Sequence, residues 1–258
     1  MATAEAADGE PLLTVVMPVY NEINTLETIL DRVLDLDLDL EVVAVDDGST
    51  DGSREYLTER AARTPNLRVI FHQKNRGKAG ALATGFRDAR GKIVIIQDAD
   101  LEYDPEEIPQ ILEPIRSGKA DVVFGSRFQG RTQRVHLFWH YLANRLLTFL
   151  SNLCTNLNLT DMECCYKAFR RPVIQAIEID SNRFAVEPEL TQKVAKLKVK
   201  VYEVACSYHG RDYSEGKKIG FSDAIEAVWA IFRFRFFWKA PKGFRLEPDP
   251  AFVIEERP

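Results

Sequence analysis

Residues Ile93 to Asp104 read Ile-Val-Ile-Ile-Gln-Asp-Ala-Asp-Leu-Glu-Tyr-Asp, an apolar run broken off by two carboxylates one residue apart. β-Branched side chains without polar alternation suit a strand buried on both faces, as inside a parallel sheet. Thr14 to Tyr20 and Glu41 to Asp47 are built alike, the first followed by Asn21 and Glu22, the second running into Asp46-Asp47-Gly48-Ser49-Thr50-Asp51-Gly52. Helices are predicted between them at Ile23 to Leu36 and Ser53 to Arg63, the latter opened by the helix-start residues Ser49, Thr50 and Asp51. Strand, helix, strand at this spacing predicts an α/β domain with a doubly wound, mostly parallel sheet and its loops gathered along one edge.

Ligands of such sheets collect outside the carboxyl ends of the strands, which puts Asp98 and Asp100 at the mouth of a cleft. Extended chain would point their side chains to opposite faces, so a shared ion requires a turn at Ala99. Hard oxygen donors of this kind suit Mg²⁺ or Mn²⁺, with substrate phosphates and water completing the shell. The plainer alternative is an acidic loop after a strand. Gly48 and Gly52 read first as residues of a tight turn.

Pro18-Val19-Tyr20-Asn21-Glu22, the Asp46 to Gly52 segment, Asp98-Ala99-Asp100-Leu101 and Gly125-Ser126-Arg127 stand in the order and spacing of the family 2 glycosyltransferases, which the chain resembles from about Thr14 to about Phe221. Within that family the likeness is to the polyprenyl-phosphate transferases typified by dolichyl-phosphate mannosyltransferase. The resemblance implies a GT-A fold, a nucleotide-sugar donor and a divalent metal. It places Pro18, Tyr20, Glu22, Asp46 and Asp47 on the nucleotide, with Lys78 and Asp98 also on the donor. The metal falls to Asp98, Asp100 and Glu102, the last standing where relatives often have Gln, a third carboxylate that either tightens the metal or points to solvent. Ser126, Arg127 and Arg145 are assigned to the acceptor phosphate, and Asp100, Arg127 and Asp161 to the reaction. The segment Asp161 to Arg171 resembles the family's Asp-x-x-Ser-Gly-Phe stretch, with Cys164 and Cys165 in place of Ser and Gly.

A chain of 258 residues, 45% hydrophobic and 28% charged, is long enough for a single α/β domain with a substantial core. The expected division is a disordered tail over 1–11, the transferase domain over 12–221, and an amphipathic aromatic helix with a C-terminal tail over 222–258. The tail lacks an apolar signal region, and Cys154, Cys164, Cys165 and Cys206 form neither a metal motif nor an extracellular framework, so reduced thiols and a cytoplasmic setting are expected. Adjacent Cys164 and Cys165 read as packed residues, not a redox pair. His72, His136, His140 and His209 lack zinc-site spacing. Gly80 to Gly85 lacks the lysine of a phosphate loop, and no dinucleotide fingerprint occurs.

Charge is divided along the chain. Residues 1–121 carry 24 acidic and 13 basic side chains and residues 122–258 carry 15 and 21, while no Asp or Glu occurs from Val122 to Thr160. An acid-free stretch bearing Arg127, Arg131, Arg134 and Arg145 suits an anionic substrate, because guanidinium grips phosphate at two points. Arg131 and Arg134 are equally well read as a solvated face; Arg127 follows the apolar strand Asp121 to Phe124 and so faces the cleft. No nucleic-acid partner is expected.

Leu137 to Leu159 and Ala224 to Trp238 are apolar but interrupted by polar and charged residues, so neither reads as a membrane span. Trp229, Phe232, Phe234, Phe236, Phe237 and Trp238, followed by Lys239, Lys242 and Arg245, fit equally a helix at a membrane interface on the cytoplasmic face and a helix packed on the domain, on an anchoring subunit or on a second copy. The polar loop Tyr208 to Lys218 has the composition of a lid, and the resemblance nominates its Arg211 and Lys217 for the phosphates; a surface loop without substrate contact is the alternative. A phosphate acceptor is already anionic and needs positioning more than a base, giving inversion by one in-line displacement. A sugar-hydroxyl acceptor needs a carboxylate base, for which Asp161 and Glu187 are candidates. A non-catalytic nucleotide-binding scaffold is the remaining class.

Overall fold

A computed structural model describes residues 9–130, 137–181, 185–210 and 221–252. Strands β1 (Leu13–Val19), β2 (Leu40–Asp46), β3 (Leu67–Phe71) and β4 (Ile93–Ile96) alternate with helices α1 (Ile23–Leu34), α2 (Ser53–Ala61) and α3 (Gly77–Asp88). There follow α4 (Ile108–Arg116), β5 (Val122–Ser126), α5 (Phe138–Thr155), β6 (Lys167–Arg170), α6 (Arg171–Gln175), α7 (Val186–Leu197), β7 (Val201–Ala205) and α8 (Phe221–Phe237). The predicted elements are present with trimmed ends: α1 stops at Leu34 and α2 at Ala61, while β5 runs on to Ser126.

The seven strands form one mixed sheet in the order β3-β2-β1-β4-β6-β5-β7. β1 to β4 are mutually parallel, β6 runs against both β4 and β5, and β7 is parallel to β5. The reversal at β6 was not legible in the sequence, and it decides the site. The carboxyl ends of β1, β2, β4, β5 and β7 all reach one edge, and the loop entering β6 starts from that same edge.

Alternate residues of β1 face opposite layers. Val15 and Met17 pack with Leu26 and Ile29 of α1 and Ile111 of α4, whereas Val16 packs with Leu82 of α3 and Val194 of α7. Both faces of the central strands are therefore covered, which is why their sequence shows no polar alternation.

Two helices depart from this economy. α5 turns Thr148 and Ser151 inward while Phe138, Trp139, Leu142, Leu146, Phe149 and Leu153 are exposed. In α8, Ala230, Ile231 and Phe234 are buried while Trp229, Phe236 and Phe237 stand out. The inward face is fastened by Lys193 of α7, a fully buried lysine paired with Glu189 at 2.6 Å and Asp180 at 2.7 Å and capped by the rings of Phe234 and Trp238. The aromatic cluster thus packs on the domain with one face and presents the other.

Candidate functional site

The ends of β1 and β2 are tied together by short polar side chains. Asn21, in the left-handed region at φ 54°, receives the Thr50 amide on its side-chain oxygen at 2.9 Å and donates its own amide to Ser49 Oγ at 3.0 Å. Ser53 Oγ accepts the Glu22 amide at 3.1 Å. Gly48 has φ 81°, and a Cβ there would lie 3.0 Å from the Asn75 amide nitrogen, so both conformation and close approach require glycine.

Asp46 and Asp47, both assigned to the nucleotide, are spent largely on the protein. Asp46 is fully buried and bound by Arg54 at 2.6 and 2.8 Å. Asp47 accepts the Arg76 amide on both oxygens, at 2.9 and 3.0 Å, and meets His72 Nδ1 at 2.6 Å. Neither Arg54 nor His72 was singled out by the sequence, because each acts across 8 to 25 residues through a side chain that belongs to no motif. Tyr20 is exposed at the same edge and Pro18 half-buried.

β4 ends at Ile96, two residues short of Asp98. The turn required at Ala99 is present, and Thr25 Oγ1 of α1 holds it by donating to the Ala99 carbonyl at 2.9 Å. Asp98 receives Lys78 Nζ on its two oxygens at 2.8 and 2.9 Å, and the same ammonium touches Cys165 Sγ at 3.2 Å and lies 3.6 Å from Glu187. Asp100 accepts the Glu102 amide at 3.1 Å, and Glu102 accepts the Tyr208 hydroxyl at 3.1 Å. Among the described residues no three His, Cys, Asp or Glu side chains stand grouped as a metal cage. The donor set still fits Mg²⁺ or Mn²⁺, which such carboxylates hold together with substrate phosphate oxygens and water.

Across the edge, Arg127 leaves the end of β5 and closes a two-point ion pair on Asp161. Nε and Nη2 lie 2.7 and 2.8 Å from its oxygens, and the Arg127 amide adds a third bond at 3.0 Å. With the Asn144 amide oriented to suit its neighbours, its oxygen accepts from the same guanidinium at 2.6 Å. The Tyr208 ring lies 5.1 Å from the guanidinium carbon. Burial alone would raise the Asp161 carboxyl, but Arg127 more than offsets it and holds it below the usual range. That is the opposite of what a general base needs.

The remaining acceptor-side residues are partly structural. Ser126 is fully buried, bonded to Thr160 Oγ1 at 2.6 Å and to the Phe128 amide at 3.1 Å. Arg145 donates to the Thr160 carbonyl at 3.3 Å. Arg211 and Lys217, with Arg131, Arg134 and His136, lie outside the described residues.

Beneath both halves sits a buried charged cluster that sequence reading caught only at Glu187. Lys167 is wholly buried and bonds Glu187 and the carbonyls of Met162 and Cys164. Glu163, two residues beyond Asp161, has one buried oxygen without a hydrogen-bond partner, as has Glu187. Burial, with Glu187 adding to it, pushes the Glu163 carboxyl up to about 7. All four cysteines are free thiols, and Cys164 and Cys206 are in contact at 3.5 Å.

Residues 14–178 match the family described as Glycosyl transferase family 2. The chain is 32% identical to undecaprenyl-phosphate mannosyltransferase of Micrococcus luteus, over 81% of this chain and 88% of that protein. It is 33% identical to undecaprenyl-phosphate 4-deoxy-4-formamido-L-arabinose transferase of Aeromonas hydrophila over 80% of this chain, and spans 62% of that longer protein. Among solved structures it superposes on glucosyl-3-phosphoglycerate synthase of Mycobacterium tuberculosis, crystallised with Mn²⁺, UDP and phosphoglyceric acid, with a TM-score of 0.66, 19% identity and coverage of 92% and 82% of the two chains. A mannosyltransferase of Pyrobaculum calidifontis in complex with GDP-Man and Mn²⁺ superposes with a TM-score of 0.58 at 21% identity, covering 88% and 70%. The mixed sheet flanked by helices is thus the GT-A fold.

Proposed function

Since the chain belongs to glycosyl transferase family 2, and is therefore a glycosyltransferase, we propose that it moves a sugar from a nucleotide donor of the GDP-mannose or UDP-glucose type to a polyprenyl phosphate, with inversion at the anomeric carbon. The observation that carries this reading is Arg127. It stands at the sheet edge that also bears Asp98 and Asp100, inside the acid-free stretch from Val122 to Thr160. The undecaprenyl-phosphate acceptor named for the relatives supports the same choice.

Asp98 and Asp100, with Glu102 beside them, would hold a divalent cation, which would supply charge neutralisation for the departing nucleoside diphosphate. The chain's own residues do the rest. Lys78 holds a second positive charge against Asp98 at the donor end, and Arg127, braced by Asp161 and Tyr208, orients the attacking phosphate. Transfer to a hydroxyl is the runner-up. Its base would be a carboxylate on the acceptor side: Arg127 holds Asp161 down, whereas burial raises Glu163, two residues further on, to about 7.

The enzyme is further proposed to lie peripherally on the cytoplasmic face of a membrane. No helix among the described residues is long and apolar enough to cross one. The inverted face of α5, with Trp139 74% exposed, and the adjoining outer face of α8, with Phe237 76% exposed, supply apolar and aromatic surface, and Lys239, Lys242 and Arg245 supply cations for anionic lipid. An anchoring subunit or a second copy would use the same face. The decisive assay is a panel of labelled nucleotide sugars with Mn²⁺ and polyprenyl phosphate. Label is expected in the organic phase with the phosphate and not with free polyprenol; label confined to soluble glycoside would refute the acceptor.

A further inference from the structure

Glu203 belongs to no motif. It lies on β7 opposite Phe124 of β5, and its carboxylate accepts the Thr160 amide at 2.8 Å, the Asp161 amide at 3.1 Å and the Thr160 hydroxyl at 3.0 Å. From the other side Gln129 donates its side-chain amide to the same group. One anion therefore gathers both chain segments that hold Arg127: the segment ending in Asp161, on which the guanidinium is seated, and the segment two residues beyond Arg127 itself. The same strand leads into Tyr208, whose ring lies against that guanidinium.

We infer that Glu203 is a positioning residue for the acceptor phosphate, fixing the pose of Arg127 through Thr160, Asp161 and Gln129. A carboxylate suits the place because several N–H and O–H donors converge there, and an apolar side chain would leave two consecutive amides without a partner. Burial of Glu203 outweighs the bonds it accepts and raises its pKa, so the anion sits there at a solvation cost. The bonds Glu203 accepts among the described residues come from Gln129, Thr160 and Asp161, all on the acceptor side. Its effect should therefore fall on one substrate.

The inference rests on the polyprenyl-phosphate reading, and the test separates the two. Initial rates over a range of polyprenyl phosphate at saturating donor, with calorimetric titration of the donor, are measured for wild type, Glu203→Ala, Glu203→Gln and Gln129→Ala. Glu203→Ala is expected to raise KM for polyprenyl phosphate about ten- to a hundredfold, the scale of loss for a misplaced positioning group, with donor Kd unchanged. Glu203→Gln, which keeps one acceptor oxygen, should recover most of this, and Gln129→Ala should raise KM by a smaller factor. Unchanged acceptor KM in all three variants, or equal losses for both substrates, overturns the inference. If Glu203→Ala does not fold, the other two decide the matter in the same way. Should wild type ignore polyprenyl phosphate, the acceptor reading fails and Glu203 is judged by chemistry alone. Phenylglyoxal modification of Arg127, followed by mass spectrometry, must then be faster in Glu203→Gln and Gln129→Ala than in wild type, and equal rates reject the role.

Discussion

Replacing Arg127 by alanine should cost the protein its stability before it costs the enzyme its substrate. Asp161 is fully buried and takes three bonds from Arg127, two of them from the guanidinium. Truncation leaves that carboxylate charged, buried and without its counterion, a change worth roughly 3–5 kcal/mol and a fall in melting temperature of roughly 6–20 °C in a protein of this size. The folded Asp161 carboxyl sits below its ordinary value, so the stability it contributes is present above its unfolded pKa and lost as pH falls through the folded one. The deficit of the variant should accordingly shrink in acid. Asp161→Asn in the Arg127→Ala background removes the stranded charge and should restore most of the loss. Urea unfolding of the two single variants and the double variant gives the coupling between the residues directly. Full stability in Arg127→Ala, or a double variant no more stable than that single one, would refute the account of a buried two-point pair. Acceptor kinetics of Arg127 variants are therefore read at a temperature where each is folded, and Arg127→Lys should help only in part, since an ammonium restores the charge without the planar fork of the guanidinium.

Asp100→Ala should abolish transfer and the metal-dependent part of donor binding while leaving the fold intact; calorimetry with donor and Mn²⁺ checks it, and undiminished binding would move the metal elsewhere. Glu163→Gln should stabilise the protein at alkaline pH. The folded carboxyl is raised from 4.5 to about 7, so wild type carries a penalty approaching roughly 3 kcal/mol above pH 7 that is absent below about pH 4.5, and a stability difference that did not change with pH would exclude it. Replacing Trp229, Phe236 and Phe237 together by serine should weaken flotation with anionic vesicles without lowering the melting temperature, because these side chains are exposed whereas Phe234 is not. Equal flotation would assign the face to a protein partner.

The donor half was legible because it is local. β1, β2 and β4 are continuous apolar runs, and the residues that follow them sit where strand ends must. Asp98, Asp100 and Arg127 could be placed at one edge by counting strands. What could not be read were pairings between distant segments. Arg127 meets Asp161 over 34 residues, Thr160 meets Glu203 over 43, and Tyr166 of the β6 approach reaches Gln97 over 69. Glu163 was passed over because a glutamate in sequence carries no sign of the burial that shifts it. The sequence of α5 says only that it is an apolar stretch too interrupted to span a bilayer, and nothing in its composition says which face turns inward: the buried positions are Thr148 and Ser151, while its large apolar residues stand outside.

The strand order also bears on how the chain comes together. β5 pairs only with β6 and β7, and the edge of β4 that will receive β6 stays open from its synthesis until residues 167–170 have emerged. β1, β2 and β3 can pair with their chain neighbours as they leave the ribosome and β4 can add to the free edge of β1, whereas β5 must wait for β6 with its backbone groups unpaired and α5 carries an exposed apolar face throughout. An unpaired edge beside an unburied apolar helix invites association with other chains. The interval between β4 and β6 is thus the stretch of biosynthesis in which this protein most needs a chaperone or a membrane surface, and slowing translation just before β6 should lower its soluble yield more than the same pause placed after β7.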